Sequence, residues 1–185
     1  MILKNNNQKT ELEEVNINED VKQVLLGSLL GDASLKKVSK NASYSCAHSP
    51  KQKDYTFWKG KIINKNFITK IKLYRNGKLK LYKISTNCSN ILTSLHPLFY
   101  VKSNKPKRNW EKIVNSNVLE QLTPLGIAVW YCDDGNYIVR DKACALMTQG
   151  FTYNENLILK EYFLKNWNIN CIVQEDYRKD YKKSY

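Results

Sequence analysis

Long apolar runs are missing from this sequence, and none approaches the ~20 residues that a membrane-crossing helix needs. The stretch Met1–Asp20 lacks the apolar centre of a secretory leader and the Arg-rich, acid-poor character of a transit peptide, so no targeting segment is expected. The five cysteines (Cys46, Cys88, Cys132, Cys144 and Cys171) include no C-x-x-C pair. Their scatter and odd number argue against zinc ligands or a disulfide framework, and for reduced, small apolar side chains. Acidic residues are scarce. Against 30 Lys and Arg the chain has 17 Asp and Glu, a formal charge of +13. That balance calls for a polyanionic partner, nucleic acid ahead of an anionic membrane surface, and no membrane partner is expected.

At 185 residues the chain can bury a core as one domain or as two fused half-size units. Lys, Asn, Ile and Tyr are plentiful, and their codons are A/T-rich, which points to an organelle-type genome, mitochondrial or plastid.

The rest is organised around Leu122–Gly135, LTPLGIAVWYCDDG. Thr123-Pro124 reads as a helix N-cap with proline at the first helical position. Leu125, Ile127, Ala128, Val129, Trp130 and Tyr131 leave little polar face, so this helix is expected to be buried on most sides. It ends on Asp133, Asp134 and Gly135, where carboxylates meet the negative end of the helix dipole unless a cation is near. A second copy, Val24–Ala33 (VLLGSLLGDA), also ends in a carboxylate, Asp32. Gly27 and Gly31 bare one face of that helix, and Ala128 and Cys132 offer a comparable small pair on the other. Packed side by side, the helices would bring together two like charges that a divalent metal can neutralise.

The two motifs resemble those of the LAGLIDADG homing endonucleases, in the single-chain, intron-encoded branch whose second motif reads WYxDDG. His48-Ser49, Lys51-Gln52-Lys53-Asp54-Tyr55 and Trp58 are similar to the segment after the first motif. Leu122-Thr123-Pro124 and Thr148-Gln149-Gly150-Phe151-Thr152 are similar to the segments flanking the second. The resemblance runs from about Asp20 to about Glu175.

It implies an α+β fold, a pseudo-twofold αββαββα repeat whose two antiparallel sheets form a DNA-binding saddle around the motif helices. Residues 1–18 would be a mobile polar arm, 19–98 the first half, 99–121 a basic connector and 122–185 a second half with an incomplete repeat. After its long helix the first half spends Lys70–Leu98 on a hairpin and a closing helix, whereas the second has only Asn170–Tyr185.

Local patterns fill in the elements. Asn18 and Asp20 can cap the first motif helix, and Ala42–His48 reads as a strand. Lys51–Phe67 has amphipathic spacing, with Tyr55, Trp58, Ile62 and Phe67 on one side and lysines on the other. In KIKLYRNGKLKLYKIS, Asn76-Gly77 suits a two-residue turn, and a bulge is expected where the alternation slips at Tyr82-Lys83. Lys70, Lys72, Lys78 and Lys80 would then form a cationic face opposite Ile71, Leu73, Leu79 and Leu81. With Arg75, Lys83, Lys36, Lys37 and the connector's Lys105, Lys107 and Arg108, these are the expected DNA contacts. Ser89–Leu98 fits a helix stopped near Pro97; Asn136–Arg140 and Ala143–Gln149 fit strands; Thr152 and Glu155 have capping-box spacing before the next helix. Asn170–Glu175 resumes an extended pattern.

For chemistry, the resemblance implies that Asp32 and Asp134 bind metal, with Gly31 and Asp133 adjoining them. Mg²⁺ is the expected ion and Mn²⁺ its substitute, given all-oxygen ligands. Gln149 matches a residue that orders water, though a strand-end glutamine bonding to backbone fits as well. Lys112 is a shifted match to a charge-stabilising lysine, with Glu111 at the family position. His48, with no acidic partner evident in sequence, reads as a hydrogen-bonding residue of the fold. At the helix contact the family register pairs Gly27 and Gly31 with Val129 and Asp133, which differs from the Ala128/Cys132 face and leaves both faces open. The implied activity is site-specific hydrolysis of both strands of a long, asymmetric duplex target by a monomer. An intron maturase bound to intron RNA, and a non-cleaving DNA binder, are the alternatives.

Overall fold

The computed structural model describes residues 17–38, 40–77, 79–106 and 108–174. Most of the arm expected over Met1–Asn18, the candidates Lys78 and Lys107, and the end of the second half lie outside the described residues.

Helix α1 (Glu19–Leu30) lies at the centre, with Gln23 through Leu30 all buried. Strands β1 (Ser34–Val38) and β2 (Asn41–His48), helix α2 (Lys53–Ile63), strands β3 (Thr69–Asn76) and β4 (Leu79–Thr86), and helix α3 (Asn90–Phe99) complete the first half. Its strands form one antiparallel sheet in the order β1-β2-β4-β3. Alternation decides the faces. Leu35, Tyr44, Cys46, His48, Ile84 and Ile71 share the face that covers the helices; Lys36, Ser45, Lys83, Lys70 and Lys72 share the open one.

Two details of the hairpin differ from expectation. The turn is one residue later, because Asn76 pairs with Leu79 and Gly77, at φ +57°, occupies the first loop position. Pairing then runs without a bulge from Asn76–Leu79 to Thr69–Thr86, so Lys80 and Arg75 fall on the helix-side parity and Leu81 on the cationic face. Lys37 likewise pairs with Ala42 on the helix-side parity, away from Lys36.

Helix α2 is also rotated from the expected orientation. Thr56, Lys59, Gly60 and Ile63 point inward, while Trp58 is 39% exposed. Gly60 explains the rotation, because a Cβ there would lie 2.6 Å from Ile71 of β3. The helix rests its bare side on the sheet. α3 continues two residues past Pro97.

The connector is a small hairpin, β5 (Tyr100–Lys102) with β6 (Trp110–Lys112), leading into the short α4 (Ser116–Leu119). The second half comprises α5 (Pro124–Asp134), β7 (Gly135–Ile138), β8 (Ala143–Leu146) and α6 (Tyr153–Trp167). α6 starts on the Thr152–Glu155 capping box. No strand follows it over residues 168–174. Among the described residues α1, a two-stranded sheet and α6 pack around α5, which buries Gly126, Val129 and Trp130 but leaves Ala128 and Cys132 exposed, so it is less enclosed than its apolar sequence suggests.

Neither motif helix is capped by the side chain expected from sequence. The buried Gln23 of α1 serves α5 instead: its Oε1 accepts from Thr123 N at 2.9 Å and its Nε2 donates to Gln121 O at 2.8 Å. The helices meet at Gly27 against Gly126 and Val129, and at Gly31 against Asp133. That is the register drawn from the resemblance, not the Ala128/Cys132 face. A Cβ on Gly27 would run into the Gly126 carbonyl, which is backbone and cannot rotate away. Gly27→Ala is therefore expected to cost about 1–3 kcal/mol in urea denaturation, the usual penalty for overpacking. Gly150→Ala, with open space around it, should change little.

Candidate active site

Because the helix interface is bare, α1 and α5 end at nearly the same place. Asp32 follows Gly31, the C-cap of α1, and Asp134 is the last residue of α5. The two carboxylates lie close enough for each to feel the other's charge. Burial, and then the like charge of Asp32, push the pKa of Asp134 from 3.8 up to about 7. The Asp32 side chain is 43% exposed, which leaves the pair open on one side. Two hard oxygen donors with open positions fit a divalent cation such as Mg²⁺ or Mn²⁺.

Lys112 reaches this place from β6. Its Nζ donates to the carbonyl oxygens of Gly31 at 2.7 Å and Ala33 at 3.0 Å, which satisfies two of the dipole-end acceptors beyond α1. Desolvation lowers its pKa, and the charges of Asp134 and Asp32 work against that shift. Glu111, one residue earlier, points away and accepts from Lys105 and Ser103, both at 2.9 Å. The alternation of β6 selects Lys112. The Gly31 carbonyl, expected beside a metal, is held by this ammonium.

Asp133 lies apart from the open pair. Its carboxylate is wholly buried and accepts from Lys59 Nζ at 2.6 and 2.9 Å and from Tyr55 Oη at 2.8 Å. A carboxylate so bound is not free for the metal at Asp134. Burial, followed by the Asp133 charge, pushes the Tyr55 phenol far above its usual range, so it remains a donor. His48 bridges the two places. Nδ1 faces Asp32 Oδ2 at 3.5 Å, and Nε2 lies 3.1 Å from Lys59 Nζ and 3.2 Å from Cys46 Sγ. Burial opposes a second proton on this ring, but Asp32 and Cys46 favour one and raise its pKa from 6.5 to about 9, a shift that the contact with Lys59 at Nε2 works against. The Lys59 ammonium already occupies the nitrogen that would take it. His48 therefore has acidic neighbours, Asp32 and Asp133, that the sequence did not reveal.

Gln149 sits just beyond β8 and donates to Met147 Sδ at 3.4 Å. Lys36, Lys70, Lys72 and Lys83 line the open face of the large sheet; Arg75 and Lys80 flank the hairpin tip; Lys105 and Arg108 lie in the β5–β6 loop. Sequence reasoning missed Lys59 and Tyr55 as site residues. The available signal was their i, i+4 spacing within the segment starting at His48, which places both on one helix face.

This geometry has relatives. The family model described as the LAGLIDADG DNA endonuclease family matches residues 22–183. The chain belongs to that family. Among curated proteins it is 32% identical over 132 residues to Protein RecA of Mycolicibacterium flavescens, covering 69% of this chain but 29% of that protein. It is 27% identical to the probable intron-encoded endonuclease 1 of Wickerhamomyces canadensis, covering 82% of this chain and 68% of the relative. It is 26% identical to the cytochrome b mRNA maturase bI2 of Debaryomyces hansenii, covering 86% and 61%. The chain thus spans under a third of the RecA relative. In fold it is similar to the homing endonuclease I-WcaI bound to its DNA recognition sequence, with TM-score 0.70 and 18% identity, covering 92% of this chain and 77% of that one.

The raised pKa of Asp134 has a definite sign. A carboxyl held above its ordinary value stabilises the fold below about pH 4, and that contribution is lost as pH rises through about 7. In chelator, Asp134→Asn should gain thermal stability relative to wild type on going from pH 5 to pH 8. Mg²⁺ should erase the difference at pH 8, as followed by melting curves.

Proposed function

We propose that this chain is a site-specific homing endonuclease that hydrolyses both strands of duplex DNA with a divalent metal, Mg²⁺ with Mn²⁺ as substitute. The observation that carries this reading is the closeness of Asp32 and Asp134 where α1 and α5 end. A metal held between them would supply Lewis-acid stabilisation of charge on the scissile phosphate. The protein's own part is to hold both carboxylates rigidly and to keep a cation beside them. Lys112 has three donors and uses two on backbone carbonyls, so one remains for a phosphate oxygen.

Lys36, Lys70, Lys72 and Lys83 on the open sheet would follow the phosphate backbone of a long, asymmetric target bound by a monomer. Gln149 would order water from the β8 end. An organelle-borne mobile intron as the source fits the A/T-biased composition and the intron-encoded relative. The maturase among the relatives favours a second reading, in which the same cationic surface holds intron RNA.

Incubation with Mg²⁺ and a plasmid carrying the host gene without its intron separates these. Linear product from wild type, and none from Asp134→Asn, is the expected result. Duplex binding without cleavage would leave a non-cleaving binder, and preferential binding of the intron transcript would favour the maturase.

A further inference from the structure

Lys59 is wholly buried, yet its ammonium stands among donors of a kind that bind metal ions. One atom each of Cys46, His48 and Asp133 lie within 4.8 Å of one another. Nζ of Lys59 lies in their midst, 2.6 and 2.9 Å from the Asp133 oxygens, 3.1 Å from His48 Nε2 and 3.7 Å from Cys46 Sγ. Sulfur, imidazole and carboxylate at such spacing suit a tetrahedral, borderline-soft cation of the zinc type. A buried ammonium is costly unless its protons find acceptors, and here they do. Tyr55 closes the remaining side, with its ring 4.6 Å from Nζ and its hydroxyl on Asp133.

We propose that Lys59 supplies the resident cation of this cluster: a tethered ammonium occupying a Cys46–His48–Asp133 site that would otherwise take a soft divalent metal. Two consequences follow from its connections. Cys46 and His48 come from β2, Lys59 and Tyr55 from α2, and Asp133 from α5. The ammonium therefore straps the first half to the second and acts as a positioning residue for the neighbouring Asp134. It also keeps soft metals out of the Cys46–His48–Asp133 site itself. The first consequence rests on the metal reading proposed above; the second does not.

The test is a Co²⁺ titration of the whole chain, read by absorbance and melting temperature. In chelator, Lys59→Ala is expected to be less stable than wild type. One equivalent of Co²⁺ should restore it, with near-ultraviolet sulfur-to-cobalt absorption that neither wild type nor Lys59→Ala/Cys46→Ser develops. The Cys46→Ser partner is needed because four other cysteines are free. Folding of Lys59→Ala only in the presence of Co²⁺ would be the same result. Wild-type stability in Lys59→Ala without metal, failure of Co²⁺ to restore it, or sulfur absorption that survives Cys46→Ser would overturn the proposal.

Positioning is tested separately with Lys59→Met/Asp133→Asn, which removes both charges and retains side-chain bulk. Its Mn²⁺ affinity, measured by electron paramagnetic resonance, should fall about 10-fold, as for loss of a residue supporting metal ligands. Unchanged affinity would overturn the positioning role. Wild type that binds no Mn²⁺ would count against the metal reading instead, leaving the Co²⁺ result to decide the occupancy of the Lys59 site.

Discussion

Two helix backbones packed too closely for side chains between them set the terms for the rest of this structure. Gly27 against Gly126, and Gly31 against Asp133, draw α1 and α5 together and leave Asp32 and Asp134 close to each other. Two carboxylates in that position repel each other, and each also sits at the unfavourable end of a helix. The fold tolerates this because α1 is buried along nearly its whole length, and because Gln23 ties the start of α5 to α1 from within. The charge is thus held in place by apolar burial elsewhere, and it remains available for a ligand.

Cations meet this concentration of acid in two ways. Near Asp133 the countercharge is built in, bonded on several sides and closed to solvent. Near Asp32 and Asp134, Lys112 approaches from β6 and spends its bonds on carbonyl groups, and the His48 ring faces Asp32 from behind. Adjacent residues on one helix therefore carry opposite assignments, one neutralised permanently and the other left open. The alternation of a helix makes this possible, because Asp133 and Asp134 point about 100° apart.

The motif helices were legible in the sequence because glycine, apolar residues and a terminal aspartate recur in both. The hairpin and the capping box were legible because turn and cap residues act locally. What escaped was set by distant partners. Lys59 reads as a solvent-side lysine in its own helix, and only Asp133, 74 residues away, makes its burial affordable. The rotation of α2 follows from Gly60 resting on Ile71, a contact between separate elements. At the hairpin each strand's alternation was plain, but which residues share a face is set by pairing across the turn, which joins Arg75 to Lys80 and Tyr74 to Leu81. The connector looked like a charged linker because its pairing residues are themselves charged, yet it forms a hairpin that brings Lys112 to the site.

The strap from Lys59 to Asp133 also bears on how such two-part proteins diversify. Their halves look interchangeable, since each contributes one motif helix and one acidic terminus. In this chain the first half carries a buried positive charge and the second half its counterion. A recombinant that took either half from a protein lacking the matching group would inherit an unpaired ion in its interior. Each half is thereby bound to its present companion, and new combinations require both positions to change together.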